Sequence, residues 1–234
     1  GGANALAQAV AAHLGAIPVI TTATDGRGLF AVDSWANAQG CLVKEAERIK
    51  WVSSKVLDGK QIQLRCPWPI SGEKPDEVSL TEEEACDAAV TLYREENTAL
   101  HLLPKALTLG VGCRKGMSQA ALENAYAALL AEQNFAPEAF VQAASIDLKA
   151  NEPGLLAFCT AHGWELKTYS AEELSELPGD FTPSPFVAQI TGVDNVCERA
   201  AVRASGGHLI RKKWKGAGVT FAVALAPVHF DWRW

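Results

Sequence analysis

The sequence predicts an α/β protein made of two α/β domains, the second with a mixed or mainly parallel sheet covered by helices. Three observations carry this prediction. Apolar runs of strand length alternate with helix-length amphipathic segments, glycine-bearing turns separate them, and a polar stretch at 71–77 interrupts the pattern. The 234 residues suffice for one large or two small domains. We place the boundary near residue 105, which gives domains at 1–105 and 106–234.

Composition excludes several classes of protein. With 48% hydrophobic and 21% charged residues, the chain has the balance of a globular protein, not of a disordered one. Its apolar runs are too short for a membrane span, and the net charge of −6 argues against a general nucleic-acid binder. The six cysteines form no CxxC pair and no metal-ligand spacing, so we predict reduced thiols in a cytoplasmic protein without a metal site.

Two helix and strand pairs are predicted in the first domain. The Ala/Leu-rich stretch at 5–14 is typical of a helix that ends at Gly15. Apolar spacing over 46–56 favours an amphipathic helix. Short apolar or alternating runs predict strands at 17–21 and 61–65.

The second domain shows the alternation more clearly. A buried strand is predicted at 106–111, followed by a glycine-bearing turn and by a helix from Ser118, its N-cap, to Gln133. The predicted later strands are 143–148, 165–169, 208–211 and 219–226. The predicted later helices are 152–162, 171–177 and 193–205.

A glycine-rich turn between strand and helix is the strongest local signal. Free N–H groups at a helix start, beside two cations, form an anion site, although a merely structural tight turn is equally compatible with the pattern. The thiol in this turn is either a thiolate activated by the helix end or, as we favour, a packed bystander without a histidine nearby. The residues concerned are Gly112, Cys113, Arg114, Lys115 and Gly116.

A second cluster lies at the end of the predicted strand 143–148. A period of two places Ser145, Asp147 and Lys149 on one face, at an edge where open α/β sheets bind ligands. The alternative is a solvated edge on which the two charges screen each other. Glu152 then favours the first turn of the next helix.

Four further segments carry polar groups. The proline-stiffened loop 181–187 presents Thr182 and Ser184, or it only connects. In the following segment Asp194 or Asn195 is a candidate helix cap, and Glu198 is either a general acid/base or a surface charge. The basic run 211–215 is the best carboxylate-binding patch of the chain. Near the N-terminus, the candidate positions at one sheet edge are Gly2, Asn4, Thr21 and Thr22.

Five ordered motifs together resemble the cobalt-precorrin-5A hydrolase family of anaerobic cobalamin (vitamin B12) synthesis. The motifs are GGANALA at 1–7, PVITTATD at 18–25, LGVGCRKG at 109–116, SIDLKANEPGL at 145–155 and FTPSPFVAQITGVDNVCERAA at 181–201. The resemblance implies an N-terminally truncated chain, because family members usually carry roughly a further hundred residues before GGAN. Residues 1–105 are then the remnant of an N-terminal α/β domain plus a middle region, and 106–234 the C-terminal domain.

The resemblance also implies an activity. Family members open the δ-lactone of cobalt-precorrin-5A and release acetaldehyde, giving cobalt-precorrin-5B. No cofactor of the protein's own is expected, because the cobalt is carried by the substrate. Asp147 and Glu198 are the candidate catalytic groups. The expected substrate-binding residues are Gly112, Cys113, Arg114, Lys115, Gly116, Ser145, Lys149, Thr182, Ser184, Gly2, Asn4, Thr21 and Thr22.

Two other functions are compatible with these residues. One is a non-catalytic corrinoid-binding or carrier module of the same pathway, and the other is an unrelated anion-binding α/β domain. The expected partner is a cobalt-corrinoid intermediate, with neither nucleic acid nor membrane. We make no prediction of the oligomeric state.

Overall fold

The computed structural model describes residues 10, 13–14 and 28–234. The chain forms two compact units. The first comprises residues up to Thr91, together with Glu95–Pro104 and His229–Trp234, and the second comprises Leu92–Arg94 and Lys105–Val228. Most of the predicted helix at 5–14, the strand at 17–21, and the candidate residues Gly2, Asn4, Thr21 and Thr22 lie outside the described residues.

The first unit has a five-stranded mixed sheet in the order β1-β6-β5-β2-β4. β1 runs antiparallel to β6, and the other neighbouring strands are parallel. The strands are β1 (Cys41–Val43), β2 (Ile62–Arg65), β4 (Val78–Leu80), β5 (Ala88–Val90) and β6 (Leu100–Pro104). Its helices are α1 (Val32–Ala38) and α2 (Ile49–Leu57).

The C-terminal residues complete the first unit. β12 (Phe230–Asp231) pairs in parallel with β3 (Ile70–Ser71). The indole N–H of Trp35 donates to the carbonyl oxygen of Asp231 at 2.8 Å, and the Trp35 and Trp232 rings stack. Aromatic burial and this hydrogen bond therefore fix the end of the chain to the helix α1.

The second unit has a five-stranded mixed sheet in the order β10-β11-β7-β8-β9. β7, β8 and β9 are parallel, whereas β10, β11 and β7 are antiparallel. The strands are β7 (Leu107–Cys113), β8 (Phe140–Ile146), β9 (Glu165–Tyr169), β10 (His208–Gly216) and β11 (Val219–Leu225). The helices are α3 (Gln119–Gln133), α4 (Pro153–His162), α5 (Ala171–Ser175), α6 (Pro185–Thr191) and α7 (Cys197–Ser205). The predicted α/β class, with a mixed sheet and helices against it, is confirmed.

Local sequence signals explain the core of the second unit. Ser118 caps α3 as predicted, because its hydroxyl accepts the N–H of Ala121 at 3.2 Å. The helix α7 packs on β7 at a glycine. A Cβ at Gly110 would lie 1.8 Å from the carbonyl oxygen of Cys197, so this approach requires glycine. Gly110 therefore sets the distance between α7 and the sheet.

The predicted strand 143–148 is wrong at its end. β8 stops at Ile146, and Asp147–Lys149 form a 3₁₀ turn. The Asp147 carboxylate accepts the N–H of Leu148 at 2.7 Å, which favours a turn over an extended chain. Ser145, Asp147 and Lys149 therefore do not share one strand face.

Other predicted boundaries also differ from the structure. The helix predicted from residue 193 begins at Cys197, because the Asn195 side chain accepts the N–H of Glu198 at 2.8 Å and caps it there. The loop predicted at 181–187 leads into α6, whose first residue is Pro185. β10 extends five residues past the predicted end at 211, to Gly216.

No helix among the described residues is both long and apolar enough to cross a membrane.

Candidate functional site

A cavity of about 730 Å³ opens in the second unit where the parallel strands β7 and β8 end. Gly112 and Cys113 reach it from β7, and Ser145 and Ile146 reach it from β8. The carboxyl ends of parallel strands are the usual ligand-binding edge of an open α/β sheet. The fold thus places a cavity where such proteins bind small molecules.

The lining of the cavity is strongly cationic. Among the residues that the structure describes, five cationic side chains and one carboxylate, that of Glu152, line it. The cations are Arg114, Lys115, Lys149, Lys213 and Lys215. The local charge is therefore opposite in sign to the net charge of −6, so the cavity attracts anions in an acidic protein.

Apolar side chains form the rest of the wall. The aliphatic residues in the lining are Ile146, Leu148, Val187, Ile190 and Val196. Leu148 is 63% exposed and Ile190 is 60% exposed, so both offer apolar surface to a ligand at the mouth. An apolar wall combined with several cations suits a large hydrophobic ligand that carries carboxylates.

The glycine-rich turn is held by groups from elsewhere in the unit. A Cβ at Gly112 would lie 2.4 Å from the Thr220 hydroxyl oxygen, and that hydroxyl donates to the Gly112 carbonyl at 3.1 Å. The N–H of Gly116 donates to Glu152 Oε2 at 2.9 Å. The expectation that the Gly116 amide binds a substrate anion therefore needs correction, because the protein's own carboxylate already occupies that donor.

Glu152 joins the turn to a cation of the cavity. Its second carboxylate oxygen, Oε1, lies 3.0 Å from the Lys149 ammonium nitrogen. The donated N–H of Gly116, followed by the hydrogen bond from Lys149, lowers the pKa of Glu152 below its ordinary value. The next residues bring α4 close, because a Cβ at Gly154 would lie 2.0 Å from the Met117 carbonyl oxygen. The motif at 145–155 therefore fixes the conformation of the motif at 109–116.

The two thiols of the cavity are not activated. Burial raises the pKa of Cys113, although Lys149 opposes the rise, and burial raises the pKa of Cys197 to about 11. A thiol with a raised pKa stays protonated near neutral pH and is a poor nucleophile. The geometry thus favours the interpretation of Cys113 as a packed bystander.

The hydroxyl candidates differ in their surroundings. Ser145 is fully buried, and its hydroxyl donates to the Val111 carbonyl at 2.7 Å, which ties β8 to β7. Ser184 lines the cavity from the segment before α6. Thr182 is not among the lining residues, and its peptide N–H donates to Glu198.

The two acid/base candidates both lie outside the cavity lining. Asp147 is exposed, and its carboxylate bonds the adjacent N–H of Leu148. Glu198 is fully buried, and its two oxygens accept the N–H groups of Thr182 at 2.8 Å and Lys213 at 2.6 Å. The structure therefore brings neither carboxylate to the cavity surface.

The basic run 211–215 divides between two roles. Arg211 pairs with Glu132 at 3.3 Å, and Lys212 pairs with Asp180 at 2.7 Å. Lys213 and Lys215 line the cavity. The sequence predicted the whole run as a carboxylate-binding patch for the substrate but did not separate these two lysines from Arg211 and Lys212. Their alternate positions in a strand were the signal that could have found them.

Across residues 28–234, no cluster of three or more His, Cys, Asp or Glu side chains has an arrangement that could hold a metal ion. The described cavity lining itself offers cations, hydroxyls, thiols, one carboxylate and apolar surface.

Fold and site together define an α/β protein with an anion-attracting cavity at the strand ends of a mixed sheet. The family model described as cobalamin synthesis G C-terminus matches residues 107–224, and the model described as cobalamin synthesis G N-terminal matches residues 1–25. The cobalt-precorrin-5A hydrolase of Priestia megaterium is 33% identical over 97% of this chain and 66% of its own length. The cobalt-precorrin-5A hydrolase of Salmonella typhimurium is 32% identical over 97% of this chain and 69% of its own length.

Solved structures with related sequences also come from cobalamin synthesis. CobE, a protein from the cobalamin biosynthetic pathway, shares 28% identity with a TM-score of 0.48, over 52% of this chain and 91% of CobE. A putative cobalamin biosynthesis protein G homologue from Sulfolobus solfataricus shares 19% identity with a TM-score of 0.45, over 97% of this chain and 68% of its own.

The chain belongs to the cobalt-precorrin-5A hydrolase family, whose named members are hydrolytic enzymes of cobalamin biosynthesis. The resemblance drawn from the five motifs is confirmed. The chain spans 66% of the length of the Priestia megaterium relative and 69% of the Salmonella typhimurium relative.

Proposed function

We propose that this protein acts on cobalt-precorrin-5A, opening its δ-lactone and releasing acetaldehyde to give cobalt-precorrin-5B. Family membership supports the reaction. The observation that carries the proposal to this chain is the cavity at the ends of β7 and β8, where five cations surround an apolar wall.

The lining matches the chemistry of such a substrate. A corrinoid intermediate is a broad, flat ring edged with acetate and propionate groups, so it needs apolar surface for the ring and separated cations for the edge. Lys149 lies at the turn after β8, whereas Lys213 and Lys215 lie on β10. The cations therefore come from different elements around one cavity, as carboxylates around a ring require.

Lactone opening sets a further requirement. Water adds to the lactone carbonyl carbon, the acyl C–O bond breaks, and a carboxylate and a hydroxyl group result. Release of the two-carbon fragment then breaks a carbon–carbon bond: the hydroxyl loses its proton and becomes the aldehyde carbonyl, and the macrocycle carbon takes up a proton. The tetrahedral intermediate carries an oxyanion, which preorganised positive groups stabilise. Lys149 and Lys213 are the candidates for this stabilisation, because both line the cavity and are held by neighbours.

The remaining site residues take other roles in this proposal. Cys113, Arg114, Lys115 and Ser184 line the cavity as substrate-binding candidates. Glu198 acts through other residues, and Asp147, exposed beside the lining residues Ile146 and Leu148, stays a candidate acid/base group. Gly2, Asn4, Thr21 and Thr22 stay candidate binding positions contributed by the N-terminal part of the chain.

The cobalt in this proposal belongs to the substrate, and the protein needs no cofactor of its own. We further propose a cytoplasmic location and no nucleic-acid partner. The free thiols among the described residues support a reducing compartment, and the net charge of −6 opposes nucleic-acid binding.

The test is anaerobic incubation of the protein with cobalt-precorrin-5A, followed by absorbance and by trapping of acetaldehyde. The Priestia megaterium relative serves as the positive control. Acetaldehyde release above the level without protein supports the proposal. Binding of cobalt-precorrin-5A without release of acetaldehyde favours a carrier module. If this protein neither binds the substrate nor releases acetaldehyde while the control does, the proposal is refuted.

A further inference from the structure

The buried carboxylate of Glu198 joins two separate parts of the cavity. Glu198 lies in the first turn of α7 and is fully buried. Its Oε2 accepts the N–H of Thr182 at 2.8 Å, and its Oε1 accepts the N–H of Lys213 at 2.6 Å. One side chain thus holds the backbone of the segment before α6 and the backbone of β10.

The backbone carbonyl of Thr182 is also held by hydrogen bonds. Its carbonyl oxygen accepts the Asn195 side-chain N–H at 2.8 Å and the Lys213 ammonium at 3.4 Å. Asn195 is fully buried, and its own oxygen accepts the N–H of Glu198 at 2.8 Å. Glu198 and Asn195 therefore form a closed set of hydrogen bonds around the backbone of Thr182.

Thr182 lies just before the segment that forms one wall of the cavity. The wall residues Ser184, Val187, Ile190 and Thr191 follow Thr182 directly. The N–H of Ser184 donates to the Asp194 carbonyl at 2.9 Å, so the segment 184–194 is closed at its base. The position of this base relative to Lys213 is fixed by the Glu198 carboxylate.

A carboxylate suits this task better than an amide. Both hydrogen bonds to its oxygens come from N–H donors, and an ionised carboxylate offers only acceptors. A glutamine would keep one acceptor and set its NH₂ group against the second N–H donor. Burying an unpaired donor is costly, so the substitution would release one of the two segments.

We propose that Glu198 is a positioning residue that sets the separation between the α6 wall and Lys213, and so determines how tightly the substrate is held. The inference rests on the proposed function, because it names what the buried carboxylate does for that site. It assigns Glu198 no contact with the reacting atoms.

The test compares Glu198→Gln with Gln142→Ala, a matched control in the same unit. Gln142 donates to Thr108 and to the Ala204 carbonyl at 3.0 Å each and is not among the cavity-lining residues. Two quantities are measured for each folded variant. One is amide hydrogen exchange over 182–191 and at Lys213, and the other is the Kd and binding capacity for anaerobically prepared cobalt-precorrin-5A.

For Glu198→Gln we expect exchange to accelerate over 182–191 or at Lys213, and Kd to rise about tenfold, the effect of losing a buried hydrogen bond to a charged group. Binding capacity should hold, and turnover, followed as acetaldehyde release, should fall without being lost, because Lys213 is displaced but still present. A merely structural role would lower capacity and leave Kd unchanged, and a catalytic role would abolish turnover at unchanged Kd. The control variant should leave both the exchange over 182–191 and Kd unchanged.

Unchanged exchange both over 182–191 and at Lys213 in folded Glu198→Gln would overturn the inference. If that variant fails to fold, Glu198→Asp decides in the same way, because its carboxylate is one methylene too short to reach both N–H donors. Failure of the unsubstituted protein to bind cobalt-precorrin-5A would refute the proposed function, and the exchange measurement would still decide the role of Glu198.

Discussion

Glu152 accepts the N–H of Gly116 at 2.9 Å across 36 positions of the sequence. The N-cap residue of α4 thereby fixes the turn that ends β7, and its other oxygen holds Lys149. A single carboxylate thus orders the glycine-rich turn and a cation of the same cavity. It also reduces the number of free donors that the turn offers to an anion.

Replacing Glu152 by alanine should destabilise the protein. The substitution leaves the Gly116 N–H and the Lys149 ammonium without this acceptor, and a hydrogen bond to a charged group contributes roughly 1.5 to 3 kcal/mol. We expect a loss of that size in the free energy of unfolding, measured by urea titration with circular dichroism. Glu176→Ala, at an exposed position, is the control and should stay within about 0.5 kcal/mol. Equal effects of the two substitutions would contradict the role of Glu152.

The same carboxylate should make stability depend on pH. Its pKa is lowered first by the Gly116 N–H and then by Lys149, so the folded protein binds its proton less readily than the unfolded chain. The stabilisation is complete above the unfolded pKa of about 4.3 and is lost as pH falls through the lower folded value. Between about pH 5 and pH 3, the free energy of unfolding should fall more steeply for the unsubstituted protein than for Glu152→Gln. Urea titrations of both proteins across this pH range provide the measurement. The expectation is wrong if the free energy of unfolding falls equally steeply with pH in the two proteins.

Neutralising a cavity cation should weaken substrate binding. Lys213→Met keeps the length of the side chain and removes a charge from the lining, so Kd for cobalt-precorrin-5A should rise about tenfold. Lys167→Met is the control, because Lys167 pairs with Glu165 and is not among the lining residues. Binding titrations at two salt concentrations would check the charge effect, because added salt should reduce the difference in Kd between Lys213→Met and the unsubstituted protein. An unchanged Kd for Lys213→Met would exclude Lys213 from substrate binding.

Replacing Gly110 by alanine should strongly destabilise the protein. The new Cβ would lie 1.8 Å from the Cys197 carbonyl oxygen, so α7 must shift away from β7. We expect a loss of about 3 kcal/mol or more, at the upper end of overpacking effects. Gly163→Ala is the control, because its φ of +67° is strained but nothing lies within 4 Å of a Cβ there. That strain should cost only about 1 to 2 kcal/mol. Thermal unfolding should therefore show a much larger drop in Tm for Gly110→Ala.

Local signals predicted the centre of the second unit well. Ser118 caps α3 because its hydroxyl meets an N–H three residues away, which the sequence alone displays. The predicted end of β8 was wrong because a side-chain hydrogen bond of Asp147 favours a turn. The alternation of residues with a period of two does not reveal such a hydrogen bond. The helix α6 was missed because Pro183 and Pro185, before it and at its first position, also suit a connecting loop.

The site was predictable where its residues are close in sequence. Arg114, Lys115 and Lys149 stand beside strand ends, so their place at the cavity followed from the fold class. The occupation of the Gly116 donor and the burial of Glu198 did not follow, because both depend on contacts between distant segments. Tertiary packing, not local pattern, decided which polar groups face the cavity.

The division of the chain between its two units has a consequence for attempts to separate them. The polypeptide passes from one unit to the other at residues 91–92, 94–95, 104–105 and 228–229. A cut at residue 105 would deprive the second unit of Leu92–Arg94, including Tyr93, whose ring stacks on Phe135, and the main-chain bond from Arg94 to Asn134. A cut at residue 92 would instead attach β6 of the first unit to the excised piece. Gene fission or domain shuffling at a single position would therefore leave one of the two halves incomplete.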